Sequence, residues 1–303
     1  MKKIIIDTDP GHDDAMALML AVKCGLFDVK AVTTVCGNST ISNTTRNARF
    51  ILDLLEKDNI PIFSGAKQPL KKKLIQAVVH GKSGLEGIDP INEPGLTNNA
   101  VDKTIEIVTN NPNQITLITL GPLTNVAKAI LKNSDAMDKV REIISMGGAI
   151  RVPGNKNRVA EFNIFVDPEA ADIVFRFPVK KTIIPLDACN NVRLTLSDFK
   201  KIKNSKLRRI LIKMTKPYIK NIFEDTGINA ALMYDPLTVF YLINPNAATT
   251  FDCNIEIETK SELTRGMTVA DLRKNPEGKN NVTVVSQINE KEFKQYFIKT
   301  LSK

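Results

Sequence analysis

Four aspartates lie close together near the start of the chain, directly after a short apolar segment. Residues Lys3–Asp7 form a β-branched run that predicts a buried strand, and Pro10 and Gly11 end it. Apolar residues then recur at helical spacing as far as Gly25. The acidic residues therefore fall at a strand–turn–helix junction. In an open α/β sheet this junction lies at the carboxyl edge of the strands, where ligands bind.

The aspartates Asp7, Asp9, Asp13 and Asp14 repel one another, so a cation, bound protons or hydrogen-bond donors must offset their charge. Asp13 and Asp14 fall in the first turn of the predicted helix, where free N–H groups and the helix dipole favour negative charge. Because a cap needs only one aspartate, capping does not explain all four. A hard cation, Ca²⁺ or Mg²⁺, held between Asp9 and Asp14 is the simplest explanation.

The alternation of strands and helices continues along the chain. A helix is predicted from about Thr44 to Lys57, and further apolar strands are predicted at Val29–Val35, Ile60–Phe63, Ile115–Leu120, Val140–Ser145 and Lys180–Leu186. This order is typical of an α/β fold with an open, mostly parallel, doubly wound (Rossmann-like) sheet and peripheral helices. Because no shift in composition marks a second domain, we expect one domain over residues 1–303.

Composition excludes several classes of protein. The net charge is +9, but the basic residues are scattered and the chain has no Trp and four Tyr, so we expect no nucleic-acid partner. No apolar run is long enough to span a membrane, and no secretory signal is visible. Four cysteines without paired spacing (Cys24, Cys36, Cys189 and Cys253) predict free thiols and a cytoplasmic location.

Further polar residues follow the predicted strands. Asn38 comes after the second strand, and His80 lies in a long irregular segment, Ser64–Asn98, which has the length of a lid or binding loop. Glu161 and Asn163 stand two apart in a predicted extended segment, so both face one way and suit sugar hydroxyls. By contrast, residues 196–227 are lysine-rich and predict a solvated peripheral pair of helices.

The motif DTDPGHDD at residues 7–14 resembles the N-terminal signature of the inosine–uridine-preferring nucleoside hydrolases. Later segments resemble further blocks of that family, in order and over essentially the whole chain: LGPLTN (120–125), SMGG (145–148), AEFNIFVDPEAA (160–171), YDP (234–236) and GMTVAD (266–271). The resemblance implies a nucleoside hydrolase fold, hydrolysis of the N-glycosidic bond of a small-molecule ribonucleoside, one Ca²⁺ and a homo-oligomer, either a dimer or a tetramer.

The resemblance also implies roles for individual residues. The metal ligands would be Asp9, Asp14, Asp235 and the main-chain oxygen of Leu120, and Asp9 would be the general base. Met146 would line the sugar site. The ribose hydroxyls would be held by Asp13, Asn38, Asn155, Glu161, Asn163 and Asp235.

The sequence departs from the family at Tyr234, where many members have a histidine before the last aspartate. His80 and Tyr234 both remain candidates for activating the leaving base, and we expect pyrimidine nucleosides such as uridine to be hydrolysed better than purine nucleosides.

Two alternatives stay open at this point. Asp7-Thr8-Asp9 also fits a haloacid-dehalogenase-type phosphatase superficially, and the missing histidine allows a non-catalytic, calcium-dependent binder of nucleosides or sugars.

Overall fold

The computed structural model describes residues 1–88, 90 and 95–303. In this part of the chain the strands are β1 (Lys2–Thr8), β2 (Phe27–Thr34), β3 (Ile62–Ser64), β4 (Ile115–Thr119), β5 (Glu142–Met146), β6 (Lys181–Ile184), β7 (Arg193–Leu194), β8 (Ala231–Leu232), β9 (Ala248–Cys253), β10 (Ile255–Ile257), β11 (Thr268–Ala270) and β12 (Val282–Ile288).

The helices of the described residues are α1 (His12–Lys23), α2 (Ile41–Leu54), α3 (Ala100–Asn110), α4 (Thr124–Lys132), α5 (Ser134–Met137), α6 (Phe162–Val166), α7 (Pro168–Arg176), α8 (Leu186–Cys189), α9 (Leu196–Lys200), α10 (Ser205–Thr226), α11 (Tyr234–Ile243) and α12 (Glu290–Leu301). Among these helices none is long and apolar enough to cross a membrane.

The central sheet has the strand order β3-β2-β1-β4-β5-β6-β12-β9. Each neighbouring pair is parallel except β12 and β9, which run antiparallel. The predicted open, mostly parallel, doubly wound sheet is therefore confirmed. The chain moves outward from β1 in one direction through β2 and β3 and then continues on the other side at β4. The carboxyl ends of β1 and β4 thus form the switch point at which ligands bind in such sheets.

Strand β1 is buried on both faces, as its continuous run of isoleucines predicts. Ile4 and Ile6 belong to the apolar cluster that includes helix α1, and Ile5 belongs to the cluster on the other face of the sheet. Because each face removes apolar surface from water, the strand is fixed in register. Its carboxyl end, which carries the aspartates, is held rigidly in the middle of the molecule.

One strand was missed and two structural expectations were wrong. Strand β9 was not predicted, since Ala248–Cys253 alternates weakly and gains its place by pairing with β12. Glu161 and Asn163 do not lie in an extended segment, because α6 begins between them. Helix α10 is not a solvated peripheral helix, since it buries a full face that includes Met214, Tyr218 and Ile222.

Candidate active site

Three carboxylates meet at the carboxyl edge of the sheet. Helix α1 supplies Asp13 and Asp14 from its first turn, and α11 supplies Asp235 from its own first turn. The two helices pack against each other, and one oxygen from each of the three side chains lies within 4.8 Å of the others. All three side chains are buried. Since both helix N-termini point at this cluster, their free N–H groups favour its negative charge.

Asp14 is the most firmly held member of the cluster. Its Oδ1 accepts a hydrogen bond from Thr8 Oγ1 at 2.5 Å, and its Oδ2 accepts from the main-chain N–H of Gly11 at 2.9 Å and from Asn38 Nδ2 at 3.0 Å. Through this bond Asp14, the third residue of α1, satisfies the main-chain N–H of the residue that precedes the helix. These donors join the ends of β1, α1 and the β2 loop, so Asp14 is fixed in orientation.

Asp9 lies beside this cluster and is fully buried. Its Oδ2 accepts a hydrogen bond from the main-chain N–H of Asn38 at 2.6 Å, while its main-chain N–H lies 3.3 Å from Asp14 Oδ1. The other oxygen, Oδ1, has no hydrogen-bond partner among the described residues, and the same holds for Asp13 Oδ1. A buried carboxylate oxygen without a partner is costly, which indicates that something else satisfies these two atoms.

The electrostatics of the cluster lead to the same conclusion. Burial raises the pKa of Asp13, Asp14 and Asp235, and repulsion from Asp14 raises the pKa of Asp13 and Asp235 further. The pKa of Asp9 is raised by burial and then by the charge of Asp14. Oxygen ligands of this kind, gathered in a buried group, fit a hard divalent cation. The three carboxylates are therefore a candidate group for holding such a cation.

A cavity of about 270 Å³ opens above the carboxylates. Most of the residues proposed from the sequence for substrate or metal line it: Asp13, Asn38, His80, Leu120, Met146, Asn155, Glu161, Asn163, Tyr234 and Asp235. Asp9 and Asp14 do not line it but lie beneath it. The structure thus brings the sequence-derived residues together in two layers, with carboxylates at the bottom and a mixed polar and apolar chamber above.

Glu161 and Asn163 face the cavity although their segment is not extended. Glu161 caps α6, and its carboxylate accepts hydrogen bonds from the main-chain N–H groups of Asn163 at 2.8 Å and Gly148 at 3.1 Å. Burial outweighs these bonds and raises the pKa of Glu161 to about 7. The Nδ2 atom of Asn163 donates to the main-chain oxygen of Leu120 at 2.7 Å. Helix α6 therefore connects these two side chains to the end of β4.

The two other proposed contacts of the sugar lie on the same wall. Met146, at the end of β5, has its sulfur 3.4 Å from Asn163 Nδ2. The Oδ1 atom of Asn155 accepts a hydrogen bond from the main-chain N–H of Phe162 at 2.9 Å, which leaves its Nδ2 group free to donate into the cavity. Polar donors and acceptors thus line this wall of the cavity.

The opposite wall carries three stacked rings. His80 lines the cavity, with Nε2 3.7 Å from Asp13 Oδ1. The ring of His12, which was not among the candidates from the sequence, lies against it. Tyr218 of α10 stacks on both histidines. Burial lowers the pKa of His12 to about 4 and the pKa of His80 well below its usual value, so both rings are neutral at neutral pH.

Tyr234, the residue that departs from the family pattern, also lines the cavity. Its hydroxyl lies 3.3 Å from Asn190 Oδ1, to which it donates. Burial, followed by neighbouring acidic groups, raises the pKa of the phenol well above its usual value. Tyr234 therefore remains a neutral hydrogen-bond donor over the whole working pH range.

Sequence reasoning missed the contribution of α10 to the cavity. Tyr218 and Ile222 line the cavity beside Leu232. The available signal was the spacing of apolar residues along the helix, which recur every three or four positions: Leu207, Leu211, Met214, Tyr218 and Ile222. The many lysines on the opposite face hid this pattern.

Comparison with known proteins agrees with this site. Residues 4–295 match the family described as inosine-uridine preferring nucleoside hydrolase. The chain is 38% identical over 299 residues to the pyrimidine-specific ribonucleoside hydrolase RihA of Photobacterium profundum, with 96% of each chain covered. The structure also resembles a plant nucleoside hydrolase, with a TM-score of 0.93, 31% identity and 99% of each chain covered.

A purine-preferring ribonucleoside hydrolase from Gardnerella vaginalis is similar as well, with a TM-score of 0.92, 29% identity and coverage of 99% of this chain and 98% of that one. The protein therefore belongs to the nucleoside hydrolase family. Its class of reaction is hydrolysis of the N-glycosidic bond of ribonucleosides, as the motif at residues 7–14 predicts. The resemblance to haloacid-dehalogenase-type phosphatases does not extend beyond Asp7-Thr8-Asp9.

Proposed function

We propose that the protein hydrolyses pyrimidine ribonucleosides, uridine above all, to the free base and ribose in a calcium-dependent reaction. The observation that carries this proposal is the buried cluster of Asp13, Asp14 and Asp235, with Asp9 beside it, at the bottom of a cavity lined by polar side chains. Similarity to a pyrimidine-specific relative supports the choice of base. We also propose that the partner is a small-molecule ribonucleoside, that the protein forms a homo-oligomer, and that it acts in nucleoside salvage in the cytoplasm.

The proposed metal ligands are Asp9, Asp14, Asp235 and the main-chain oxygen of Leu120. The two unpartnered oxygens, Asp9 Oδ1 and Asp13 Oδ1, support a cation in this place. Asp13 has a carboxylate oxygen within 4.8 Å of those of Asp14 and Asp235 and also lines the cavity, so it stands at the boundary between the metal and the sugar. When bound, Ca²⁺ would lower the pKa of a water molecule and bind ribose hydroxyls.

Asp9 is proposed as the general base that accepts a proton from the attacking water. It is suited to this role because burial and the charge of Asp14 raise its pKa, which makes its carboxylate a stronger base than an exposed aspartate. Its unpartnered Oδ1 is available to accept the proton. The hydrogen bond from Asn38 to Oδ2 keeps the side chain in one orientation.

The sugar is held by the polar wall of the cavity. Asp13, Asn38, Asn155, Glu161, Asn163 and Asp235 are proposed to bind the ribose hydroxyls, and Met146 to pack against the ring. Cleavage of an N-glycosidic bond develops positive charge on the sugar, as in other glycosidases, and nearby carboxylates stabilise that charge. Glu161 and Asp13 line the cavity and are placed for this role.

The leaving base is proposed to meet His80 and Tyr234. Tyr234 is neutral and can donate a hydrogen bond, but its raised pKa makes it a poor source of a full proton. A pyrimidine base leaves more readily as an anion stabilised by hydrogen bonds, whereas a purine base gains more from full protonation. This difference is the physical reason for expecting uridine to be preferred over inosine.

The test is release of free ribose from uridine, cytidine, inosine and adenosine, measured with a reducing-sugar assay in calcium and again in EDTA. We expect ribose from uridine and cytidine, slower release from inosine and no release in EDTA. A tenfold preference for inosine would refute the choice of base. Binding of uridine without release of ribose would instead identify a calcium-dependent nucleoside binder, and the matched variant Tyr234→His would then show whether the missing histidine is the cause.

A further inference from the structure

The segment between β5 and α6 is irregular, yet part of its main chain is folded tightly on itself. The main-chain N–H of Lys156 donates to the main-chain oxygen of Ala160 at 3.1 Å. A β-carbon at Gly154 would overlap that same oxygen, so the chain approaches itself as closely as a glycine allows. The two limbs of this loop, residues 154–160, therefore lie against each other, and the turn between them is at Asn157.

Asn157 fixes the turn with both ends of its side-chain amide. Its Oδ1 accepts hydrogen bonds from the main-chain N–H groups of Val159 at 2.9 Å and Ala160 at 2.7 Å. Asparagine commonly closes a turn in this way. Its Nδ2 donates to the main-chain oxygen of Arg265 at 3.1 Å, which lies 108 positions further along the chain. Asn157 thus shapes the loop and also ties it to a distant segment.

The segment at the other end of this tie is itself anchored. Nη2 of Arg265 lies 2.7 Å from Glu169 Oε2 in α7, and Nη1 donates to the main-chain oxygen of Thr259 at 2.8 Å. The two charged side chains are only 14% and 12% exposed, so solvent screens their attraction less than at the surface. Gly266 packs against α6, where a β-carbon would lie 2.9 Å from the Cα atom of Phe165. The main-chain oxygen of Arg265 is therefore a fixed point.

Two residues of the loop, Asn155 and Lys156, line the cavity. Asn155 is exposed to solvent, and its side chain accepts a hydrogen bond from the main-chain N–H of Phe162 at 2.9 Å. Glu161, by contrast, is buried, and main-chain N–H groups at the start of α6 hold its carboxylate. A change at Asn157 should therefore displace Asn155 far more than Glu161.

We propose that Asn157 is a positioning residue, which ties the loop to Arg265, places Asn155 at the cavity and so determines how tightly the nucleoside binds. The inference rests on the proposed function, which assigns Asn155 to a ribose hydroxyl. Asn157 does not line the cavity, so it acts through Asn155 and not by contact with the substrate. Because the aspartate cluster and Asp9 belong to other elements, the chemical step depends less on Asn157 than binding does.

The first test is the kinetics of uridine hydrolysis in Asn157→Ala. We expect KM to rise by roughly tenfold and kcat to change by less than about threefold, as for a lost contact that substrate and transition state share. Asn281→Ala is the matched control, because Asn281 also bridges segments without lining the cavity. It accepts from the N–H of Ile255 at 2.9 Å and donates to the Phe175 oxygen at 3.3 Å. An unchanged KM in Asn157→Ala, or a loss confined to kcat, would overturn the proposal.

A double variant tests whether Asn157 acts through Asn155. In a protein that already carries Asn155→Ala, adding Asn157→Ala should raise KM by less than about twofold, because the two effects are then coupled. Independent effects that multiply in KM would show that Asn157 acts by another route and would overturn the proposal.

A conservative variant tests the tie to Arg265. Asn157→Asp keeps an oxygen that accepts from Val159 and Ala160, but it has no N–H group to donate to the Arg265 oxygen. We expect its KM for uridine to rise about as far as in Asn157→Ala. A KM equal to that of the wild-type protein would refute the role of this tie.

Digestion with trypsin measures the state of the loop without any substrate. Arg158 is an exposed residue of the loop, and the chain after it is cleaved once the loop opens. Asn157→Ala should speed this cleavage by roughly tenfold, and Asn281→Ala should not change it. An unchanged rate in Asn157→Ala would refute its role in the loop. If the wild-type protein releases no ribose, the proposed function fails, while digestion still decides whether Asn157 holds the loop.

Discussion

Gly121 lies directly against the carboxylate of Asp9, so closely that a β-carbon at this position would overlap Oδ1. Gly37 lies against the other oxygen, Oδ2, in the same way. The two glycines follow β4 and β2, the strands on either side of β1, and leave only enough space for the aspartate between them. The orientation of the proposed general base is therefore set by the absence of two side chains.

Gly121→Ala should displace Asp9 by a fraction of an ångström or more and lower the rate of uridine hydrolysis by roughly 100-fold, since small misplacements of a reacting group are costly. The measurement is kcat for release of ribose. Gly95→Ala is the matched control, because a β-carbon there would meet nothing within 4 Å. An active Gly121→Ala variant would show that the position of Asp9 does not limit the reaction.

Asn125 makes three hydrogen bonds beneath the site, and we expect them to stabilise the folded protein. Its side chain donates to Asp7 Oδ2 at 2.8 Å and to the Thr34 oxygen at 3.0 Å, and it accepts from the N–H of Ala66 at 2.9 Å. Asn125→Ala leaves these buried groups without partners and should lower the free energy of unfolding by roughly 2–4 kcal/mol.

Urea unfolding followed by circular dichroism measures this loss. Asn133→Ala removes an exposed cap, which accepts from the N–H of Ala136 at 3.0 Å, and should cost about 1 kcal/mol. Equal losses in the two variants would contradict a central role for Asn125.

Glu161 should make the metal-free protein less stable as the pH rises. Its pKa is about 7 in the folded protein, against an ordinary value of 4.5, so between these values the folded state binds more protons than the unfolded state. The free energy of unfolding therefore decreases as the pH rises through this window, by roughly 3 kcal/mol from this one group.

The experiment follows urea unfolding in EDTA at several pH values between about 4.5 and 8. Glu161→Gln should reduce the slope of stability against pH, whatever its effect on absolute stability. A slope that is the same in both proteins would mean that Glu161 is not buried as a protonated acid.

Calcium should stabilise the protein through the aspartate cluster. At free calcium 100-fold above Kd the folded state gains about 2.7 kcal/mol, which raises Tm by several degrees. Asp14→Asn should abolish the shift, whereas Asp198→Asn, on the surface helix α9, should keep it. A parallel titration with magnesium identifies the preferred ion, and no shift with either ion would refute the metal site.

The arrangement of the sheet was predictable because strands β1 to β6 can be recognised from the residues within each strand. Runs such as Ile4–Ile6 specify buried strands, and parallel strands place their carboxyl ends on one edge, so Asp9, Asn38 and Leu120 had to converge. The order of the later motifs placed Glu161, Asn163 and Asp235 at the same edge. Those residues do line the cavity or its floor.

The rest depended on contacts between segments far apart in the chain. Whether the short segment after Glu161 forms a helix depends on whether the Glu161 side chain caps it. The local sequence fits both a capped helix and an extended segment, so it does not distinguish them. Strand β9 exists because β12 pairs with it. The contact between His12 and His80 joins residues 68 positions apart, on a helix and on an irregular loop, so no local pattern could indicate it.

The central claim, that Asp9 activates water above a calcium site, is tested most directly by the rate of uridine hydrolysis in Asp9→Asn at saturating calcium. Asp7→Asn is the matched control, because Asp7 is a buried aspartate two residues away whose Oδ2 accepts from Thr33 and Asn125 and takes no part in the proposed site. We expect kcat to fall by roughly 10²–10⁴-fold in Asp9→Asn and to change little in Asp7→Asn. Comparable rates in Asp9→Asn and the wild-type protein would contradict the assignment of Asp9 as the general base.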